Sequence, residues 1–296
     1  MAGESLKDLR RRVRSIKNIR QITRAMEMVA AAKLRRAQGV LMAGRPYAAK
    51  LLELLAHLAE GSRLGEHPLF AAREGNRKIL VVFTADRGLA GAYNTNVIKR
   101  AEELLRSEPG TDWQLVCIGR RGLDYFQRRN WPIIESVTTL GGRADFEEAR
   151  RIGELLVRMY ESNQVDQVLL LYQRFISTVV SRPTVVQYLP LTSEALGLHA
   201  QGAAGGEARQ IDYILEPSAG EVFDALLPRF LTSRIYITMA EAATSEHSAR
   251  MVAMSNATKN CDEMSDTLTL KMNNARQAAI TKELLEVVSG ANAIKG

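Results

Sequence analysis

Two short loops hold the residues best placed for chemistry, and each is expected where a strand hands over to a helix. The first, Thr84-Ala-Asp-Arg-Gly-Leu-Ala-Gly-Ala-Tyr-Asn94, stands where a phosphate would be cradled by backbone N–H groups and a helix N-terminus. It lacks the GxGxxG spacing, and the chain contains no GxxxxGK[ST]. Gly88 and Gly91 then read as the makers of a tight strand-to-helix turn, and Asp86, beside Arg87, as a local cap. The second loop, Gly119-Arg-Arg-Gly122, matches the short GXXG clamp of KH domains, but the surrounding order of elements is not theirs.

The remaining candidates are weaker. The four histidines, His57, His67, His199 and His247, adjoin no acidic or cysteine cluster, and neither HExxH nor GxSxG occurs. Asp145, Glu147 and Glu148 open a helix, where acidic side chains favour the dipole. Met26, Met28, Met251, Met254 and Met272 fall at helical spacings and read as packing. Cys117 and Cys261 are far apart, outside any metal or redox spacing, which points to a reducing compartment. No catalytic residue, metal ligand or cofactor contact is expected from this set.

The elements that position these residues follow from periodicity. From the head, apolar residues recur at Leu9, Val13, Ile16, Ile19, Ile22, Met26 and Val29, in steps of three and four that keep a stripe on one side of a helix. The tail repeats the pattern at Leu231, Ile235, Met239, Ala242, Met251, Met254, Leu268, Met272, Ala275, Ala279, Leu284 and Val287. At 1.5 Å per residue the head helix would run about 80 Å and the tail about 110 Å. Helices so long, with stripes so narrow, are expected to bury them against each other as a coiled coil. Ser5 with Asp8, and Ser218 with Glu221, read as N-caps; Pro46 is expected to bend or interrupt the head, and Pro228 to kink the tail.

Between them the pattern changes. Runs at 78–84, 114–118, 132–137, 165–172 and 184–189 read as strands, and segments at 94–107, 121–129 and 145–162 as helices. That alternation predicts a mainly parallel, Rossmann-like α/β domain, with its last two strands antiparallel at one edge. Ser193–Arg209 reads as a loop and Ile211–Leu215 as a final strand. The expected division is 1–60 head helix, 61–77 linker, 78–217 central domain and 218–296 tail helix.

The net charge of +7 is unevenly placed: residues 1–50 carry 13 Lys/Arg against three acids, so the other 246 residues sum to −3. Such a face can be solvated or can meet an acidic partner, nucleic acid or an anionic membrane. A basic coiled-coil nucleic-acid binder is the alternative function, weakened because the first forty residues contain no Phe, Tyr or Trp to stack on bases. No apolar run approaches the ~20 residues that span a bilayer.

Several segments together carry a family resemblance. Ile22-Thr-Arg-Ala-Met-Glu-Met-Val-Ala-Ala31, Ala249-Arg-Met-Val-Ala-Met254, Ala275-Arg-Gln-Ala-Ala-Ile-Thr-Lys-Glu-Leu284 and Glu286-Val-Val-Ser-Gly290 closely resemble the gamma subunit of F-type ATP synthases. Arg45-Pro-Tyr47 and Asp86-Arg-Gly-Leu89 also fit, and the match runs end to end. The resemblance implies an antiparallel coiled coil of both termini plus a Rossmann-like domain. It further implies a rotor shaft with no reaction of its own, inside a ring of alpha and beta subunits and seated on the membrane c-ring beside epsilon.

By the same resemblance, Met26, Arg276 and Gln277 lie near the beta subunits' acidic catch loops, and Thr281 and Glu283 in the adjoining bearing zone. Tyr213 and Glu216 stand where the family reads Tyr-x-Tyr-Glu-Pro, near the c-ring, although the second aromatic is here Leu215. The plant-type insert with its cysteine pair is missing, and no transit peptide precedes the head helix. A bacterial protein is therefore expected, peripheral on the cytoplasmic face of the plasma membrane and reaching the membrane only through its complex.

Overall fold

Which side of a terminal helix goes inside is decided by a strict alternation of three- and four-residue steps. The computed structural model describes residues 5–61, 67–192, 216 and 218–295. In chain order its elements are α1 Leu6–Gly61, β1 Arg77–Phe83, α2 Tyr93–Ser107, β2 Asp112–Ile118, α3 Arg120–Gln127, β3 Ile133–Val137, α4 Phe146–Glu161, β4 Gln167–Phe175, β5 Ser181–Leu189 and α5 Ala219–Lys295. They gather into two units, Met1–Ala30 with Met251–Gly296, and Ala31–Arg250.

In the first unit α1 starts on a side-chain cap. Asp8 N–H donates to Ser5 Oγ at 3.2 Å, and the Ser5 hydroxyl donates to Asp8 Oδ2 at 2.7 Å. The inward positions are then Leu9, Val13, Ile16, Arg20, Thr23, Glu27 and Ala30. On α5 they are Met254, Thr258, Cys261, Ser265, Leu268, Met272 and Ala275. Both sets alternate steps of four and three, the 3.5-residue period of a coiled-coil seam. Thr23 meets Thr258 at 2.8 Å and Arg20 pairs with Asp262, so the two stretches run antiparallel. A polar pair inside an apolar seam favours one register, because a slip would set each hydroxyl, already bonded to a carbonyl of its own helix, against an apolar side chain.

The predicted stripe parts from this seam after Ile16. Ile19, Ile22 and Val29 are 47%, 59% and 57% exposed. Each stands one residue, about 100° of rotation, from the inward positions at Arg20, Thr23 and Ala30. Period overrides hydrophobicity here, because only a 3.5-residue repeat stays on a supercoiled partner. Met28, read as packing, is 62% exposed for the same reason, whereas Met254 is buried. In the tail, Ala279, Leu284 and Val287 also stand outside the seam, since α1 begins at Leu6 and its first turn reaches only about as far as Ala275. Every residue from Arg276 to Gly290 is exposed.

Neither proline ends its helix. α1 continues through Pro46 to Gly61, held downstream by Leu51, Leu55 and Leu58 in the core, which outweighs one lost backbone hydrogen bond. α5 continues through Pro228 between the buried Leu227 and Phe230.

In the second unit five strands pair in the order β3-β2-β1-β4-β5, parallel except for the β4–β5 edge. β1 reads RKILVVF and is buried on both faces, as a central parallel strand must be. Ile79, Val81 and Phe83 join α4, α5 and the end of α1; Leu80 and Val82 join α2 and α3. The predicted strands match to within a few residues, and the parallel sheet with its antiparallel edge is as expected. The predicted loop 193–209 and strand 211–215 lie outside the described residues.

The Gly119-Arg-Arg-Gly122 turn exists to bring two loops into contact. Gly119 has φ +100°, and a Cβ there would stand 2.0 Å from the Thr84 carbonyl oxygen; one on Gly122 would stand 2.9 Å from Thr84 Oγ1, which accepts the Gly122 N–H. Gly119→Ala is therefore expected to destabilise the chain by at least about 3 kcal/mol in urea unfolding, from strain and overpacking together. A loss below about 1 kcal/mol would remove the packing explanation for this motif.

Candidate functional site

In an open α/β sheet, ligands bind beyond the carboxyl ends of the strands where strand order reverses. Here that point lies between β1 and β4. The chain's own α5 occupies it. Tyr93 Oη donates to the Ala242 carbonyl at 3.2 Å, and Ser245 Oγ donates to the Gln173 carbonyl, near the end of β4, at 2.8 Å. What remains between Phe83, Ile118 and Ala242 is a cavity of about 30 Å³, room for water and not for a nucleotide.

The polar residues around this plug form a clamp. Asp86 accepts from Arg120 N–H at 3.1 Å and from Gly141 N–H at 2.9 Å, capping α3 and fixing the loop after β3. That is the local-cap role expected of it. Arg250 donates to Glu246 Oε1 at 2.7 Å and to the carbonyls of Arg87 and Gly88, so α5 holds the loop after β1. Burial pushes the Glu246 carboxyl up, against the pull of Arg250. His247 donates from Nε2 to the Gly142 carbonyl at 2.8 Å; burial, with Arg250 and Lys33 nearby, lowers its pKa to about 4.

Glutamate, histidine and arginine thus stand together, but the neighbouring hydroxyls are committed: Ser245 to Gln173 and Ser248 to the Thr178 carbonyl. Cys117 is a core residue whose thiol burial pushes up to about 12. Among the described residues no group of three His, Cys, Asp or Glu side chains is placed to hold a metal. This arrangement fixes loops on a helix.

The unit formed by residues 1–30 and 251–296 offers a surface. Its head carries eight Lys/Arg against three acids and its tail five against five, so the positive charge is one-sided. Arg276, Gln277, Thr281 and Glu283 sit together on two exposed turns of α5, where Thr281 Oγ1 donates to the Gln277 carbonyl at 3.0 Å. Met26 is half-buried and lies roughly 30 Å back along the pair, opposite about residue 255, so the structure does not bring it to Arg276 and Gln277. Glu216 is exposed; Tyr213 lies outside the described residues.

The motif reading missed how much apolar surface accompanies these polar residues. Ile19, Ile22, Met28 and Val29 are exposed on the head, and Ile280, Leu284, Leu285, Val287 and Val288 are 50% to 69% exposed on the tail. Scoring the head against a strict 3.5-residue repeat, in place of any mixture of threes and fours, separates the first group from the seam. Among the described residues, no helix is long and apolar enough to cross a membrane.

A profile of the ATP synthase family matches residues 5–294. The chain is 43% identical over 291 residues to the ATP synthase gamma chain of Pelotomaculum thermopropionicum, covering 98% of this chain and 99% of that one. It is 46% identical over 291 residues to the gamma chain of Moorella thermoacetica, with the same coverage. In fold it resembles a chain of the Euglena gracilis mitochondrial ATP synthase OSCP/F1/c-ring structure, with a TM-score of 0.65 at 18% identity over 98% of this chain and 94% of that one. A chain of the Tetrahymena thermophila central stalk and c-ring structure gives a TM-score of 0.59 at 23% identity, over 80% of this chain and 99% of that one.

The clamp makes a testable statement about acid. The unfolded chain takes up a proton at His247 near pH 6.5 and the folded chain only near pH 4, so the neutral-ring contribution is whole above 6.5 and drains away down to 4. Relative to His247→Gln, the native chain should lose on the order of 3 kcal/mol of unfolding free energy between pH 7 and pH 4 in urea titrations. Glu246, whose raised pKa acts in the opposite sense, is common to both chains. Parallel pH profiles for the two chains would show that the ring is not held neutral.

Proposed function

The chain belongs to the ATP synthase gamma-chain family, and from that premise we propose that it is the central rotor shaft of a rotary ATP synthase, performing no reaction itself. It couples ion flow through the membrane c-ring to conformational change at the beta subunits of the alpha–beta ring, with epsilon beside it. It is peripheral, on the cytoplasmic face of the plasma membrane. Residues 1–60 and 218–296 supply the shaft helices and 78–217 the globular part, with 61–77 joining them.

The observation that carries this reading is the bare end of α5. A single helix in water is marginal, and this one exposes five large apolar side chains beyond the point where its partner stops. Such a segment calls for a sleeve, and a ring of surrounding subunits is one. The remaining surface is uneven: exposed Ile, Leu and Val side chains are interspersed with arginines around the helix pair, so a neighbour meets a different set of side chains at each angle. A ring subunit responds to the extent that its two states bind those sides unequally.

Within that reading, Met26 and the cluster Arg276, Gln277, Thr281 and Glu283 contact the alpha–beta ring, and Tyr213 and Glu216 face the c-ring. The nucleic-acid alternative gains no support: residues 1–40 offer no aromatic side chain, and Arg20 is already tied to Asp262.

Replacing Ile280, Leu284, Leu285, Val287 and Val288 together with Gln should leave the isolated chain's unfolding within about 0.5 kcal/mol, because each of these side chains is exposed there. The same variant should weaken co-assembly with the alpha and beta subunits at least about tenfold. Assembly at native affinity would rule out the sleeve. In the reconstituted complex, Arg276→Ala with Gln277→Ala should lower ATPase turnover several-fold with an unchanged circular dichroism spectrum. Unaltered turnover would remove both residues from the contact surface.

A further inference from the structure

A second cavity, of about 440 Å³, opens within the Ala31–Arg250 unit and takes no part in the function above. Its walls are one face of α1, the loop 141–144 and one face of α5. Three cations line it: Lys33 and Arg36 one turn apart on α1, and Arg143 on the loop. All three are exposed, and among the described residues none of these side chains makes a hydrogen bond or ion pair. The nearby carboxylates are already committed, Asp86 to the backbone N–H groups of Arg120 and Gly141, and Glu246 to Arg250. Lys33 acts on Glu246, which is paired to Arg250, and no carboxylate is among the residues lining the cavity.

The floor has a different character. Ala37, Val40, Ala144, Ala240 and Ala243 present small apolar groups, and the neutral His247 ring closes one side. The loop is locked against that ring: at Gly142, φ +72°, a Cβ would stand 2.6 Å from His247 Cε1. A rigid, mostly apolar hollow of several hundred Å³ with a few convergent charges has the make-up of a small-molecule site. Inorganic phosphate alone would leave most of it empty, and a monocarboxylate would leave two cations unmatched. Guanidinium forks favour phosphoryl oxygens geometrically as well as by charge.

We propose that this cavity binds a small organic phosphate, its phosphoryl group held by Lys33, Arg36 and Arg143 and its organic part lying on the alanine floor. The site is assigned binding alone, and it stands or falls independently of the rotor reading.

The test uses the full-length chain, isotopically labelled, titrated with phenyl phosphate, inorganic phosphate and benzoate at moderate salt while the Gly141 and Gly142 amide resonances are followed. Phenyl phosphate should shift both saturably with Kd below about 1 mM, at least about tenfold tighter than either other probe. Arg36→Gln with Arg143→Gln, both on exposed side chains, should weaken that binding at least about tenfold with an unchanged thermal transition. The absence of a saturable shift, or binding kept in the double variant, would overturn the site. Inorganic phosphate binding as tightly as phenyl phosphate would overturn the role of the floor.

Discussion

From Phe230 to Ser248, α5 is enclosed on nearly every side, and much else in the chain depends on how it tolerates that. A helix in such a place satisfies its own backbone, but each polar side chain needs a partner as well. Thr238 and Thr244 return their hydroxyls to carbonyls one turn back; Ser245 reaches β4 and Ser248 the turn that follows it; Glu246 and Arg250 pair. Those bonds seat the helix in the crevice where a doubly wound sheet would otherwise receive a ligand. The fold of a nucleotide-binding domain is thereby turned into a mount for a helix.

The same helix then changes surroundings twice. After Arg250 it has one partner stretch in its unit, and its inward residues shrink to a single seam ending at Ala275. Beyond that, among the described residues, it has none. Hydrophobic content does not fall along this course, so exposed apolar area grows toward the tail, where Leu284, Leu285 and Val287 are each at least 60% exposed. In the seam itself, Thr23, Thr258, Arg20 and Glu27 occupy inward positions that leucine or valine would fill more stably. Polar residues there restrict the pair to one register, and a part that transmits turning has more use for fixed register than for the last increment of stability.

Much of this was legible in the chain. The strands were readable because β-branched runs such as Ile79-Leu-Val-Val-Phe83 have few other uses, and the caps at Ser5 and Ser218 because the acid three residues on is a local signal. Helix persistence through Pro46 and Pro228 was not, since the packing that holds each proline in place comes from distant segments. Nor was the true seam: Ile19 and Ile22 outrank Arg20 and Thr23 on any hydropathy scale, and only the partner helix's period decides between them. The cap at Asp86 was readable from its place beside a turn glycine; that it also fixes Gly141, 55 residues on, was not. The basic cavity was invisible, because Arg143 lies more than a hundred residues from Lys33 and Arg36 in sequence.

The seam stops at Ala275, and the exposed tail beyond it waits for a sleeve. Hydrogen exchange resolved along α5, on the isolated chain and on the chain assembled with alpha and beta subunits, addresses that most directly. Amides from Met254 to Ala275 should be protected in both samples, and those from Arg276 to Gly290 should exchange fast alone and slow down on assembly. A tail already protected in isolation, or one left unprotected inside the complex, would contradict it.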